Sequence, residues 1–130
     1  MTSTPREVFL RLVHGVADGK LDELPELYAE QTDVRHPMSD TAPLRSRNEL
    51  RTHFVVPPGA TMPERRPVDI VVHETVDDEV IVAEFAYEFL HEDSITRVPC
   101  VFVMRVRDGV IVESRDYIDP IRRSAAARQR

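Results

Sequence analysis

The stretch EVIVAEFAYEFL, residues 79–90, decides the fold. Successive side chains on a β-strand point to opposite faces, so Ile81, Ala83, Phe85, Tyr87 and Phe89 form one row and Val82, Glu84, Ala86 and Glu88 the other. An aromatic row backed by a row holding glutamates describes a strand with one face in a core and one in water. The same texture recurs in VDIVVHETV (68–76), TRVPCVFVMRV (96–106) and VIVESRDYID (110–119). Turn signals at Asp77-Asp78, at 91–94 and at Asp108-Gly109 separate them, which predicts a four-stranded antiparallel meander.

Upstream the period changes from two to that of a helix. Thr4, Pro5 and Glu7 make a capping-box start, after which Val8, Phe9, Leu12, Val13 and Val16 recur on one face until Gly19. Asp22 is placed to cap a second helix through Leu24, Leu27 and Tyr28, with Pro25 tolerated in its first turn, so the two helices are expected to form a hairpin. DVRHP reads as a short extended piece, since Pro37 biases His36 away from helix, and MSDTAPLR (38–45) reads as loop. SRNE (46–49) repeats the capping-box spacing and should begin a third helix through Leu50 and Phe54, stopped by Pro57 and Pro58. Residues 57–67, with four prolines and a glycine, are expected to be an exposed connection. Helices followed by strands indicate an α+β domain with the helices on one face of the sheet.

Face assignment singles out one residue. On 96–106, Cys100, Phe102, Met104 and Val106 make the inward row, while Arg97, Val103, Arg105 and Arg107 face outward and should pair across strands with the glutamates. On the last strand Ile111, Glu113, Arg115 and Tyr117 share one face, leaving Val112, Ser114, Asp116 and Ile118 on the other. If Val112 and Ile118 face the helices, Asp116 points into the interior, where an unpaired carboxylate costs several kcal/mol or shifts its pKa upward. Asp119, beside Pro120, is expected to be a strand-end or dimer-edge residue.

A chain of 130 residues allows one core. With 42% hydrophobic and 31% charged residues its composition is that of a soluble protein, and its apolar runs are too short for a membrane span. The start MTSTPREVF has no secretory pattern and Cys100 is the sole cysteine, so a cytoplasmic protein without disulfides is expected. A formal charge of −6 argues against nucleic acid as a partner. The last ten residues carry four arginines and no acid, and this basic tail (121–130) is expected to be a frayed or weakly helical solvated end to a domain spanning 1–120. His14, His53, His73 and His91 show no short ligand spacing, so no metal site or cofactor is expected.

Three stretches, LRLVHGVADGKLDELPELYAEQTDVRHP (10–37), PLRSRNELRTHF (43–54) and MRVRDGVIVESRDYIDP (104–120), resemble in their order the SnoaL-like branch of the nuclear-transport-factor-2-like superfamily. That group includes polyketide cyclases, steroid isomerases and limonene epoxide hydrolases. The resemblance implies a cone-shaped α+β barrel, with N-terminal helices packed on a curved antiparallel sheet around a lipophilic pocket, and a homodimer through the outer sheet face. Asp116 falls where the epoxide hydrolases have one catalytic aspartate, but Ala83 and Phe85 stand where their other arginine and aspartate come from. His36 takes the place of the general-base aspartate of the steroid isomerases, and Leu12 that of their oxyanion-binding tyrosine. Neither chemistry carries over in its known form. A buried aspartate also serves as acid/base in the polyketide cyclases, which Asp116 matches.

The expected pocket therefore has Asp116 on its sheet wall and His36 near its mouth, with Tyr87 or Tyr28 as a hydrogen-bond donor. Phe9, Leu12, Tyr28, Phe54, Phe85, Cys100, Met104, Ser114 and Ile118 are its expected lining. Few polar groups in an apolar cavity suit a small lipophilic ligand, and a desolvated carboxyl beside an imidazole suits proton transfer at neutral pH. Two readings follow: a cofactor-free isomerase, cyclase or hydratase acting through Asp116, or a non-catalytic ligand-binding or dimeric interaction module in which Asp116 only holds the barrel together.

Overall fold

The computed structural model describes residues 2–60 and 62–128; the last two residues of the basic tail, 129 and 130, lie outside the described residues. Helix α1 (Pro5–Ala17) opens with the expected capping box: Thr4 Oγ1 accepts from the Glu7 amide at 3.2 Å and Glu7 Oε1 accepts from the Thr4 amide at 3.0 Å. Its apolar stripe of Val8, Phe9, Leu12 and Val13 is buried and packs on the meander. Phe9 stands edge-on to Phe85 and Phe102, with ring centroids 5.3 and 6.2 Å apart.

The expected second helix is only a four-residue 3-10 turn, Leu24–Leu27. Four residues are too few to repay helix nucleation, and Tyr28 is already extended because it pairs with Ile111 of the last strand. Strand β1 (Tyr28–Arg35) thus begins ahead of the expected DVRHP piece, and β2 (Leu44–Ser46) lies antiparallel to it in a stretch whose composition reads largely as loop. Ser46 caps α2 (Arg47–His53), its hydroxyl accepting from the Glu49 amide at 3.1 Å.

Strands β3 (Glu64–Glu74), β4 (Val80–Leu90), β5 (Ile95–Arg107) and β6 (Val110–Ile118) are the predicted meander. The sheet order is β2-β1-β6-β5-β4-β3, and β1 runs parallel to β6, so the sheet is mixed rather than wholly antiparallel. Strand β3 starts inside the segment expected to be a connection; as an edge strand it accommodates Pro67, which lacks an N–H to donate. An irregularity between Val68 and Val71, with Asp69 at a φ of 55°, bends that edge. The curved sheet stays open between β2 and β3.

The inward row of β4 is buried as predicted, and Ala86 of the opposite row is buried as well, between Val68 and Pro99. On the outer face Arg105 reaches Asp77 at 2.9 Å and Glu79 at 2.8 Å, Arg66 reaches Glu88 at 2.9 Å, and Arg97 reaches Asp69 at 2.6 Å. Strand β6 departs from simple alternation. Val106 pairs with Ile111 and Arg105 with Glu113, which makes Val112 the extra residue of a bulge and turns Ile111, expected outside, into the core. Beyond the bulge Ser114 and Asp116 are buried and Ile118 partly so, as the parity of that row requires.

Pro120 ends β6 by starting a helix. Asp119 Oδ1 accepts from the amides of Ile121 and Arg122, both at 3.0 Å, which caps α3 (Pro120–Arg128). The tail is therefore not solely a solvated end: Ala126 is buried in the core cluster and α3 packs on β5. Phe9 joins helix to sheet, so Phe9→Ala should lower the unfolding free energy by about 3–5 kcal/mol through the cavity it leaves. Urea denaturation checks this; a loss below 1 kcal/mol would mean the α1 contact contributes little.

Candidate active site

A cavity of about 270 Å³ lies between the concave sheet face, α1, α2 and α3. Asp116 enters it from β6, where it pairs with Phe102 of β5. The parallel register of β1 brings His36 beside it: Val34 pairs with Ser114 and Arg35 with Arg115, so the next residue along lies abreast of Asp116. His36 Nε2 is 3.7 Å from Asp116 Oδ2, just beyond direct hydrogen-bond reach. The other carboxylate oxygen, Oδ1, accepts from the buried hydroxyl of Ser114. Tyr28 from the start of β1 and Tyr87 from β4 also line the cavity, and both are largely buried.

Of the residues expected at the site, Asp116, His36, Tyr87, Leu12, Tyr28, Phe54 and Ile118 line this cavity. The others stand behind its wall. Phe9 and Met104 are wholly buried in the core, and Ser114 touches the site only through Asp116. Phe85 packs between Phe9, Tyr87 and Phe102. Cys100 turns its thiol to the Val98 carbonyl at 3.5 Å, and burial pushes that thiol up to about 12, far from a reactive thiolate. Phe85 and Cys100 instead border a groove with Met38, Arg97 and Tyr117.

Three polar lining residues escape the sequence reading: His53, Arg65 and Arg123. His53 ends α2 and lies over His36, ring centroids 5.4 Å apart and tilted 30°. Arg65 lies in the proline-rich segment and Arg123 in the basic tail, so composition assigned both to solvent. Among the described residues no group of three or more His, Cys, Asp or Glu side chains is arranged to hold a metal ion, and no helix is long and apolar enough to cross a membrane.

Residues 9–114 match the SnoaL-like domain, most of the chain. The protein belongs to the SnoaL-like family. Solved structures agree at the level of fold. A candidate isomerase from Bacillus subtilis superposes with a TM-score of 0.82 at 18% identity, covering 95% of this chain and 91% of that one. A candidate polyketide cyclase from Pseudomonas putida gives 0.73 at 15% identity over 95% and 98%. SalBIII, an epoxide hydrolase/cyclase-like enzyme of pyran ring formation in salinomycin, gives 0.67 at 17% identity over 90% and 92%. No curated protein matches in sequence. The α+β cone expected from the resemblance is thus the fold of this SnoaL-like chain.

Burial sets the charge states within it. Desolvation pushes the Asp116 carboxyl up to about 7, opposed only by the Ser114 hydrogen bond. His36 is pushed down to about 4 by burial, then by His53 and Arg123. The ordinary order of the two groups is inverted, so the proton they could share sits on the carboxyl and the pair is not an ion pair at neutral pH. Both phenols are pushed upward by burial and stay protonated donors.

A raised carboxyl pKa means that the unfolded chain ionises Asp116 near its ordinary value of 3.8 while the folded chain keeps the proton until about 7. Stability from this group is fully present below pH 4 and falls as pH rises to 7, by on the order of a few kcal/mol. His36 acts oppositely between about 6.5 and 4, but equally so in a variant of Asp116. Asp116→Asn should therefore match the native protein in Tm near pH 4 and exceed it increasingly up to pH 7. Parallel Tm profiles across that range would show that the carboxyl is not desolvated.

Proposed function

We propose that this SnoaL-like protein is a cofactor-free enzyme of isomerase, cyclase or hydratase type. Its substrate is a small lipophilic carbonyl compound and Asp116 is its acid/base. The observation that carries this reading is a buried carboxyl, facing an apolar cavity, with no cationic partner and a pKa moved to the working range of a general base. In the ionised form Asp116 Oδ2 removes a proton from the carbon next to the carbonyl. The C–H electron pair becomes the enolate double bond and the charge moves to oxygen, where the hydroxyls of Tyr28 and Tyr87 in the cavity lining are suited to receive it. Protonated Asp116 then returns the proton, to another carbon in an isomerisation, or to the alkoxide formed when the enolate carbon attacks a second carbonyl in a ring closure. Neutral His36 holds the carboxyl through its Nε2 side and can pass the proton toward the mouth.

The chemical half-step is measurable without the native substrate. The protein should catalyse exchange of the α-protons of 2-tetralone into D₂O, followed by NMR, with a rate that rises from pH 5 to 8 through the Asp116 pKa. Asp116→Asn should lower that rate by about 10²–10⁴-fold with the fold retained. Exchange that is equal in the variant, or flat with pH, would defeat the assignment.

The non-catalytic alternative draws on the Ser114 hydrogen bond, which ties one carboxylate oxygen into the sheet. It expects Asp116→Asn to change stability alone.

A further inference from the structure

The cavity holds two cations that the proton-transfer reading does not use. Arg65 and Arg123 both line it, and neither has an acidic partner among the described residues. That sets them apart from the arginines of the outer sheet face, where Arg66, Arg97, Arg105 and Arg107 are each held by a carboxylate. The neighbours are telling. Arg65 and Arg66 are adjacent on β3, and alternation sends Arg66 outward to Glu88 at 2.9 Å while Arg65 turns inward. Arg122 and Arg123 are adjacent on α3, and Arg122 lies 3.7 Å from Asp119 while Arg123 faces the cavity.

Arg65 is held by stacking instead of by charge. Its guanidinium carbon lies 5.6 Å from the centre of the Phe89 ring, which fixes the direction of the fork without neutralising it. Arg65 is pushed below its usual range by desolvation first and then by Arg123, with Tyr87 acting the other way. Arg123 in turn helps keep His36 and His53 neutral. A protein of formal charge −6 has acids in plenty, yet Arg65 and Arg123 share the cavity lining with two histidines and with Asp116 as its one carboxylate. Such a site is electrostatically incomplete, and an entering anion completes it.

We propose that Arg65 and Arg123 form an anion-recognition pair at the cavity mouth, and that the substrate is an amphipathic organic anion whose carboxylate binds them while its apolar body, carrying the carbonyl, reaches toward Asp116. This rests on the reading of the cavity as a small-molecule site. The remote charge gives orientation: anchored at the arginines, the reacting carbon is directed inward to the carboxyl on β6, and the carboxylate stays away from the one acid in the cavity. Phe54, Val98 and Phe102 flank the apolar path between the two ends.

Calorimetric titration with 2-naphthoate and 2-naphthamide, matched in shape and different in charge, tests it at pH 6, where Asp116 still carries its proton. The native protein should bind the carboxylate at least about tenfold more tightly than the amide, the preference weakening with added NaCl. Arg65→Met and Arg123→Met should each lower carboxylate affinity by about 5- to 20-fold, leave amide affinity within twofold, and together abolish the preference. A merely structural role for either arginine would move both probes or the Tm alike. Equal binding of the two probes by the native protein would overturn the anion site and leave the small-molecule reading standing. A preference that survives in the double variant would overturn the assignment to these two residues. Failure of both probes to bind the folded native protein would sink the cavity reading and this proposal with it.

Discussion

A single carboxyl removed from water sets the electrostatics inside this cone. Asp116 has one hydroxyl donor, one imidazole at 3.7 Å and, among the described residues, no cation. Had a lysine or arginine stood beside it, the carboxyl would have been pulled down and fixed as a structural anion. Desolvation without compensation does the reverse, and leaves a group that exchanges its proton near neutrality. The same exclusion of water makes His36 neutral and keeps both phenols protonated. One physical cause thus sets four charge states, because all four groups share one dry wall.

The geometry that brings them together comes from strand pairing. Strand β6 sits between an antiparallel neighbour and a parallel one, so its inward row meets Phe102 on one side and the end of β1 on the other. The bulge at Val112 lets both Ile111 and the Ser114, Asp116 and Ile118 row face inward, so that Ile111 fills the core while Asp116 reaches the cavity. Irregular pairing along β1 bends that strand, and at its two ends Tyr28 and His36 both face the same space. Curvature of the sheet and convergence of polar groups have the same origin.

Charge is divided between the two faces of the sheet. Outside, arginines and acids pair in water, where each pair is worth little and mainly sets solubility and register. Along the cavity, Arg65 and Arg123 have no acidic partner and Asp116 no cationic one among the described residues. Of these groups only Asp116 is fully buried, and it meets the cost of burial by keeping its proton.

Strand alternation, helix caps and the inward parity of Asp116 were legible in the chain because they are local: they follow from a period of two, a period of 3.6 and a few hydrogen-bonding side chains. The four-strand meander, the cap at Thr4 and the cap at Ser46 all belong to this class. What the chain did not disclose is everything settled between distant residues. The second helix yielded to a strand because Tyr28 gained a partner 83 positions away; the bulge that turned Ile111 inward is a property of a strand pair; Arg65 and Arg123 look solvated in composition and become cavity residues only when β3 and α3 close over the sheet. Sequence by itself determined which faces are apolar, since that depends on side-chain spacing. Tertiary structure alone decided which polar groups meet, since pairing register and helix docking depend on contacts no local pattern encodes.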